Sequence, residues 1–104
     1  MSKDIKMMEK QCRDMLNGLG YEKYVGKLPT ITLNSRLKTT LGRCFSRWVN
    51  DNIDVYKIEL NMGFFNAESE HNIKEVMLHE MVHGIANLIH NDLIGHDARW
   101  IDNR

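Results

Sequence analysis

The feature that most constrains the fold is an apolar helical pattern interrupted by two histidines and a glutamate. His79, Glu80 and His83 form the motif H-E-x-x-H. Apolar residues recur around it at helical spacing, and they are Ile73, Val76, Met77, Met81, Ile85, Leu88 and Ile89. Residues four apart share one face of a helix, about 6 Å apart along its axis. The pattern therefore predicts a buried helix that presents both imidazoles together.

Short polar segments predict where this helix begins and ends. Asn72 and Glu75 have the spacing of a capping box, and Ser69 is a competing N-cap. The sequence NDLIG at 91–95 interrupts the pattern, so the helix is expected to end near His90.

Three segments before the helix predict a small sheet, because they are rich in alternating and β-branched residues. They are TITLNSRL (30–37), TTLGRCFSRWV (39–49) and IDVYKIELNM (53–62). The turn NDN at 50–52 joins the last two. In the third strand, Lys57, Glu59 and Asn61 are expected to face away from its apolar residues. Phe45 and Trp48 are expected in the core.

An amphipathic helix is predicted at residues 3–17, before the sheet. Its apolar stripe consists of Ile5, Met8, Cys12, Met15 and Leu16. A short last helix is expected in HDARWIDNR at 96–104. The predicted fold class is thus α+β, in a single domain spanning residues 1–104, since 104 residues match one small domain.

Composition restricts the location and the type of metal site. No run approaches the roughly 20 apolar residues of a membrane helix, and the charged N-terminus lacks a signal-peptide core. A cytoplasmic protein with no membrane partner is expected. Cys12 and Cys44 lack C-x-x-C spacing, so they are predicted to be reduced and buried rather than part of a zinc ribbon.

Charge is unevenly distributed although the formal net charge is zero. Residues 1–50 carry ten Lys/Arg and four Asp/Glu, which gives +6, and residues 51–104 carry four and ten, which gives −6. The basic candidates for DNA contact are Lys23, Lys27, Arg36, Lys38, Arg43 and Arg47. Such a run is typical of a nucleic-acid surface or, alternatively, of an ordinary solvated face.

The motif has a direct chemical interpretation as a zinc site. Two imidazoles on one helix face can bind one ion, and a catalytic zinc needs three protein ligands and one open position. Glu80 lies beside the metal, where it can take a proton from a zinc-bound water and pass it to a leaving amine. The alternative is a helix with two ordinary histidines.

The third ligand is not fixed by the motif. No Glu follows Glu80, and the extended pattern H-E-x-x-H-x-x-G-x-x-H fails at Ala86 and Ile89. His90 is seven residues after His83, which is about 10 Å of helical rise, so it is expected at the helix end or in the cleft wall.

His96 is the favoured third ligand. The segment from Asn91 to Gly95 can stop the helix and turn the chain back toward the motif. Asp97 is the alternative ligand, because carboxylates also bind zinc.

From about Thr30 to Trp100, the sequence resembles the SprT-like, or Spartan-like, zinc metallopeptidases. ITLNSRLKTTLGRC is similar to the strand pair of that family, and IELNM to its next strand. IKEVMLHEMVHGIANL resembles its active-site helix, and GHDARW its G-H-G-x-x-F/W segment. The last two segments together are more specific than the motif alone.

The resemblance implies a zincin-like form of the α+β fold. It also implies that His79, His83 and His96 are zinc ligands and that Glu80 is the catalytic base and acid. Asp97 stands where the family usually has glycine, so it is also a candidate accessory residue. The chain ends at Arg104 without the zinc ribbon of many members, as expected of a minimal form or a fragment. The resemblance further implies proteolysis of DNA-associated or DNA-crosslinked proteins.

The predicted function is zinc-dependent hydrolysis of peptide bonds in a protein or peptide substrate. An edge strand near Ile58–Met62 is expected to align an extended substrate. Candidates for stabilising the oxyanion are His90, Tyr56 and Arg99. The alternatives are a non-catalytic zinc-stabilised binding or regulatory module, and a metallohydrolase that acts on a non-peptide bond.

Overall fold

The computed structural model describes residues 3–94, which form an α+β arrangement with a three-stranded sheet, as predicted. The helices are α1 (Ile5–Leu16), α2 (Glu22–Val25), α3 (Met62–Ala67) and α4 (Glu70–His90). The strands are β1 (Ile31–Asn34), β2 (Gly42–Val49) and β3 (Asn52–Asn61). A π-helical turn, Asn17–Tyr21, joins α1 to α2. The predicted last helix lies outside the described residues.

The sheet has the strand order β1-β3-β2. The outer strand β1 runs parallel to β3, and β2 runs antiparallel to it. Because β3 is paired on both sides, the expectation of a free edge near Ile58–Met62 is wrong, and Met62 is already the first residue of α3. Among the described strands, β2 and β1 have the free edges.

A β-bulge explains the apolar pattern of β3. Phe45 pairs with Lys57 and the next residue, Ser46, pairs with Val55, so Tyr56 is the extra residue. A bulge of this kind shifts the alternation of side chains by one position. Before the bulge the buried apolar residues are Ile53 and Val55, and after it they are Ile58 and Leu60. The bulge therefore keeps all four side chains on the same face of the sheet.

Two residues of β3 are more buried than their polarity suggests. Glu59 is 3% exposed and Asn61 is 7% exposed, although both alternate along the strand with the apolar Ile58 and Leu60. Glu59 lies 3.6 Å from the Nε atom of Arg43 and 3.5 Å from the Nζ atom of Lys57. These partners provide the pairing that a buried carboxylate requires.

The core lies where α4 packs against β2 and β3, with α1 and α2 against the helix. Gly84 permits this close approach, because a Cβ atom there would lie 3.2 Å from the Cγ1 atom of Val55 on β3 and 2.8 Å from the Cδ2 atom of Leu28. Trp48 is 50% exposed, so its predicted place in the core is wrong. Met15 is 55% exposed, so it does not pack with the other residues of the predicted apolar stripe. No helix within residues 3–94 is long and apolar enough to cross a membrane.

Arg13 connects α1 to the start of the sheet. Its guanidinium donates to Glu9 Oε2 at 2.8 Å and to the backbone carbonyls of Val25, Leu28 and Pro29. The second oxygen of Glu9 accepts from the backbone amide of Ile31 at 2.9 Å, at the first residue of β1. The pair therefore satisfies backbone groups in the connection that leads into the sheet.

Replacing Arg13 by alanine is expected to lower the free energy of unfolding by about 3 kcal/mol, since it leaves a buried carboxylate without its cation. Urea denaturation measures the change. The control is Lys10→Ala on the same helix, because Lys10 and Asp14 form an exposed pair expected to contribute less than about 1 kcal/mol. Equal losses in the two variants would contradict this account of Arg13.

Candidate metal site and cleft

The helix α4 carries the motif near its middle. Ser69 is the N-cap, and its side chain accepts from the backbone amide of Asn72 at 3.3 Å. The predicted N-cap at Asn72 is therefore wrong, and the competing candidate Ser69 is the N-cap. The helix ends at His90, as predicted, and Asn91 follows in the left-handed conformation with a φ of 50°.

His79 and His83 face each other on α4. Their ring centroids are 4.9 Å apart and the planes are inclined by 76°. This spacing suits two imidazoles that bind one small ion. Within residues 3–94 no three metal-binding side chains lie together, so His90 does not complete a site with this pair. The predicted ligand His96, and the candidates Asp97 and Arg99, lie outside the described residues.

Glu80 lies beside the histidine pair at the wall of a cleft. The cleft has a volume of about 370 Å³ and is lined by Leu41, Gly42, Glu75, Val76, His79 and Glu80. Glu80 is only 8% exposed, and burial raises the pKa of its carboxyl to about 7. A carboxyl with such a pKa is suited to accept and return a proton near neutral pH.

Gly42 allows β2 to begin directly against Glu80. A Cβ atom at this position would lie 3.1 Å from Glu80 Cγ and 3.1 Å from Val76 Cγ1. Those distances are shorter than ordinary van der Waals contact between carbon atoms. The first residue of β2 therefore forms one wall of the cleft, and a larger residue would displace the glutamate.

Asn61 fixes the chain that leads into this wall. Its Nδ2 group donates to the carbonyls of Leu37 and Thr40, each at 3.1 Å. Its backbone amide donates to the carbonyl of Leu41 at 2.9 Å. Asn61 is predicted only as a polar residue of the third strand. It is also the N-cap of α3, where its side chain accepts from the backbone amide of Phe64.

Cys44 lies behind the cleft, near Gly84 on α4. Burial, and secondarily the charge of Glu80, raises the pKa of its thiol to about 12. The side chain therefore stays protonated at neutral pH. A thiol in this state is a poor metal ligand, because binding needs the thiolate. Cys12 and Cys44 are both free thiols, but only Cys12 is buried as predicted, and Cys44 is half-buried.

Tyr56, a candidate for stabilising the oxyanion, lies away from the cleft. Its ring is 5.9 Å from that of Phe45, and the guanidinium of Arg47 lies 4.6 Å from its centroid. None of these three residues lines the cleft. The structure therefore does not bring Tyr56 together with Glu80.

The six basic candidates for DNA contact are exposed but lie on different elements. They are Lys23 on α2, Lys27 after it, Arg36 and Lys38 between β1 and β2, and Arg43 and Arg47 on β2. Arg43 lies near Glu59, and Arg47 pairs with Asp54 at 2.9 Å. The connection that carries Arg36 and Lys38 leads directly to Leu41 in the cleft wall.

Glu80 gives the metal-free protein a predicted pH dependence of stability. Because burial raises its pKa from the ordinary value of 4.5 to about 7, the folded state holds the proton more tightly than the unfolded state. The resulting stabilisation is complete below about pH 4.5 and is lost as pH rises through 7.

The expected difference approaches about 3 kcal/mol of unfolding free energy. Urea denaturation of metal-free protein at pH 5 and pH 8 measures it, with Glu80→Gln as the matched control. The wild type is expected to lose more stability than the control between these values. An equal loss in both proteins would show that Glu80 does not carry the effect.

The sequence model of the SprT-like family matches residues 9–103 of the chain. The matched range contains all of α4 and the chain segments that line the cleft. The resemblance expected from the sequence is confirmed by this match. No curated protein matches the chain, and no solved structure matches it.

Proposed function

The chain belongs to the SprT-like family, and on that basis we propose that it is a zinc-dependent metallopeptidase of the zincin type. The observation that carries the proposal is the pair His79 and His83, with ring centroids 4.9 Å apart, beside the buried Glu80 in an open cleft. His96 is proposed as the third ligand. A purely structural metal site would have no use for Glu80.

A bound zinc supplies Lewis acidity toward the scissile carbonyl and the attacking water. Glu80 then accepts a proton from that water as its oxygen bonds to the carbonyl carbon. The same carboxyl returns the proton to the amine nitrogen as the C–N bond breaks. The position of Glu80 next to His79 in the cleft wall supports both transfers, because a general base and acid must lie within reach of the reacting atoms.

The free edge of β2 is the proposed guide for the substrate. It replaces the edge expected near Ile58–Met62. This strand begins at Gly42 in the cleft wall, and within residues 3–94 it pairs with β3 alone. An extended peptide that adds to this edge by backbone hydrogen bonds would pass next to Glu80.

DNA-associated proteins are the proposed substrate class. Support comes from the exposed Arg36 and Lys38, in the connection that leads to Leu41 at the cleft. Contacts from these side chains to phosphate would make DNA binding strongly dependent on salt. Lysines Lys6 and Lys10, exposed on α1, offer a control pair with the same change in charge.

The test combines peptidase and DNA-binding assays. Zinc-loaded protein is incubated with casein, with histones and with histones on single-stranded DNA, and new N-termini are counted by mass spectrometry. The proposal expects zinc-dependent cleavage of all three substrates. Absence of cleavage in every arm would contradict the peptidase assignment.

DNA affinity at low salt is compared for Arg36→Ala/Lys38→Ala and Lys6→Ala/Lys10→Ala. Only the double substitution of Arg36 and Lys38 should weaken DNA binding. If neither pair does, or if no DNA binds, the DNA-associated substrate class fails and a plain peptidase remains.

A further inference from the structure

The chain reverses direction immediately after α4, and a single residue organises the reversal. The backbone carbonyl of Asn87 accepts from the amides of Asn91 and Asp92. Its side-chain oxygen accepts from the amide of Ile94 at 3.0 Å. Ile94 is itself buried. Asn87 therefore accepts hydrogen bonds from three backbone amides of the segment that follows the helix.

Asn87 is held from its other side by the sheet. The side chain is 7% exposed, and its Nδ2 group donates to the Oγ atom of Ser46 on β2 at 2.9 Å. The two bonds fix the orientation of the amide, because a flipped amide would point its NH₂ group at the Ile94 amide. The position of Ile94 is thus set relative to both α4 and β2.

A second asparagine secures the same turn. Asn91 accepts from the backbone amide of Ile53 at 2.8 Å and donates to the carbonyl of Asp51 at 3.0 Å. The end of α4 is therefore attached to the turn between β2 and β3. The reversal has support at both of its ends.

The reversal brings the chain back toward the histidine pair. Asn87 lies one turn beyond His83, about 6 Å along the axis of α4. Because the amide of Ile94 donates to the Asn87 side chain, Ile94 lies at a similar height along this axis. Two residues span at most about 7 Å, which gives His96 the reach to approach the pair. Along a continued helix, His96 would instead lie about 20 Å beyond His83.

We propose that Asn87 is a positioning residue for the metal site, which holds the chain at Ile94 so that His96 can join His79 and His83. The inference rests on the proposed function, in which His96 is a zinc ligand. It assigns to a buried amide a role that the H-E-x-x-H motif does not contain.

The test is the zinc affinity of the full chain, measured by competition with a chromophoric chelator. Asn87→Ala is expected to bind zinc about 10- to 100-fold more weakly, the usual effect of losing a group that orients a ligand. Asn87→Asp keeps an acceptor for the Ile94 amide and should recover most of the affinity. Arg13→Ala, destabilised far from the cleft, should bind zinc as the wild type does.

A cycle with His96→Ala separates positioning from a general structural effect. If Asn87 acts through His96, Asn87→Ala has no further effect on zinc affinity once His96 is absent. An equal loss in both backgrounds overturns the inference, as does wild-type affinity in Asn87→Ala. If His96→Ala itself binds zinc normally, the proposed ligand set fails as well, so the two failures are distinguishable.

Discussion

Replacing Glu80 by glutamine is expected to lower kcat/KM for peptide hydrolysis by about 10²- to 10⁴-fold, the range associated with a general acid–base group. The substitution keeps the size of the side chain but removes the carboxylate that accepts the proton. Glu80 is buried in the cleft beside His79. Zinc affinity should remain close to that of the wild type, because Glu80 is not a proposed ligand.

The matched control is Glu75→Gln in the same helix. Glu75 also lines the cleft, but its side chain is 67% exposed, and it has no role in the proposed proton transfer. Initial rates on a fluorogenic peptide, with bound zinc measured in parallel, compare the variants. Equal rates in Glu80→Gln and Glu75→Gln would remove Glu80 from the mechanism.

Replacing His96 by alanine is expected to weaken zinc binding by more than about 100-fold, which exceeds the effect of losing a group that only orients a ligand. His79→Ala and His83→Ala should behave similarly, because each would leave two of three protein ligands. His90→Ala should bind zinc as the wild type does. Competition with a chelator gives each affinity.

His90 is the informative control, because it is the next histidine after His83 in the sequence and is therefore the closest alternative to His96. It is the last residue of α4 and does not form a three-residue group with the histidine pair. A strong loss of zinc in His90→Ala, with none in His96→Ala, would assign the third position to His90. Circular dichroism confirms that each variant keeps its helices.

The sequence predicts the motif helix well because periodicity and motif agree there. Apolar positions at helical spacing place His79 and His83 on one face, and the imidazole pair in the structure has that arrangement. The start of the helix was less certain, because Ser69 and Asn72 both have the chemistry of an N-cap. Ser69 caps α4, and Asn72 donates to the Glu68 carboxylate instead.

Strand order was not predictable from the strand pattern. Apolar alternation indicates that β3 has a buried face, but pairing with β1 joins Ile31 to Ile58 across a long stretch of chain. Local sequence carries little information about such a contact. The edge near the cleft was therefore assigned to the wrong strand, and β2 provides it.

The other features that the sequence does not predict are buried polar residues that form hydrogen bonds with groups far away in the sequence. Glu9, Asn61 and Asn87 are all buried, and each bonds to a segment far away in the sequence. In a sequence they look like solvated residues on an exposed face. Only the folded chain brings their partners close, because buried backbone amides and carbonyls require hydrogen bonds.

Zinc-dependent peptidase activity is tested most directly by a zinc titration of the metal-free protein, with hydrolysis of an unfolded protein substrate followed at each point. The rate is expected to rise from near zero and to reach a plateau at one zinc per chain. Removal of the metal by a chelator should abolish the rate again. A rate that is independent of zinc, or no hydrolysis at any zinc concentration, would contradict the account.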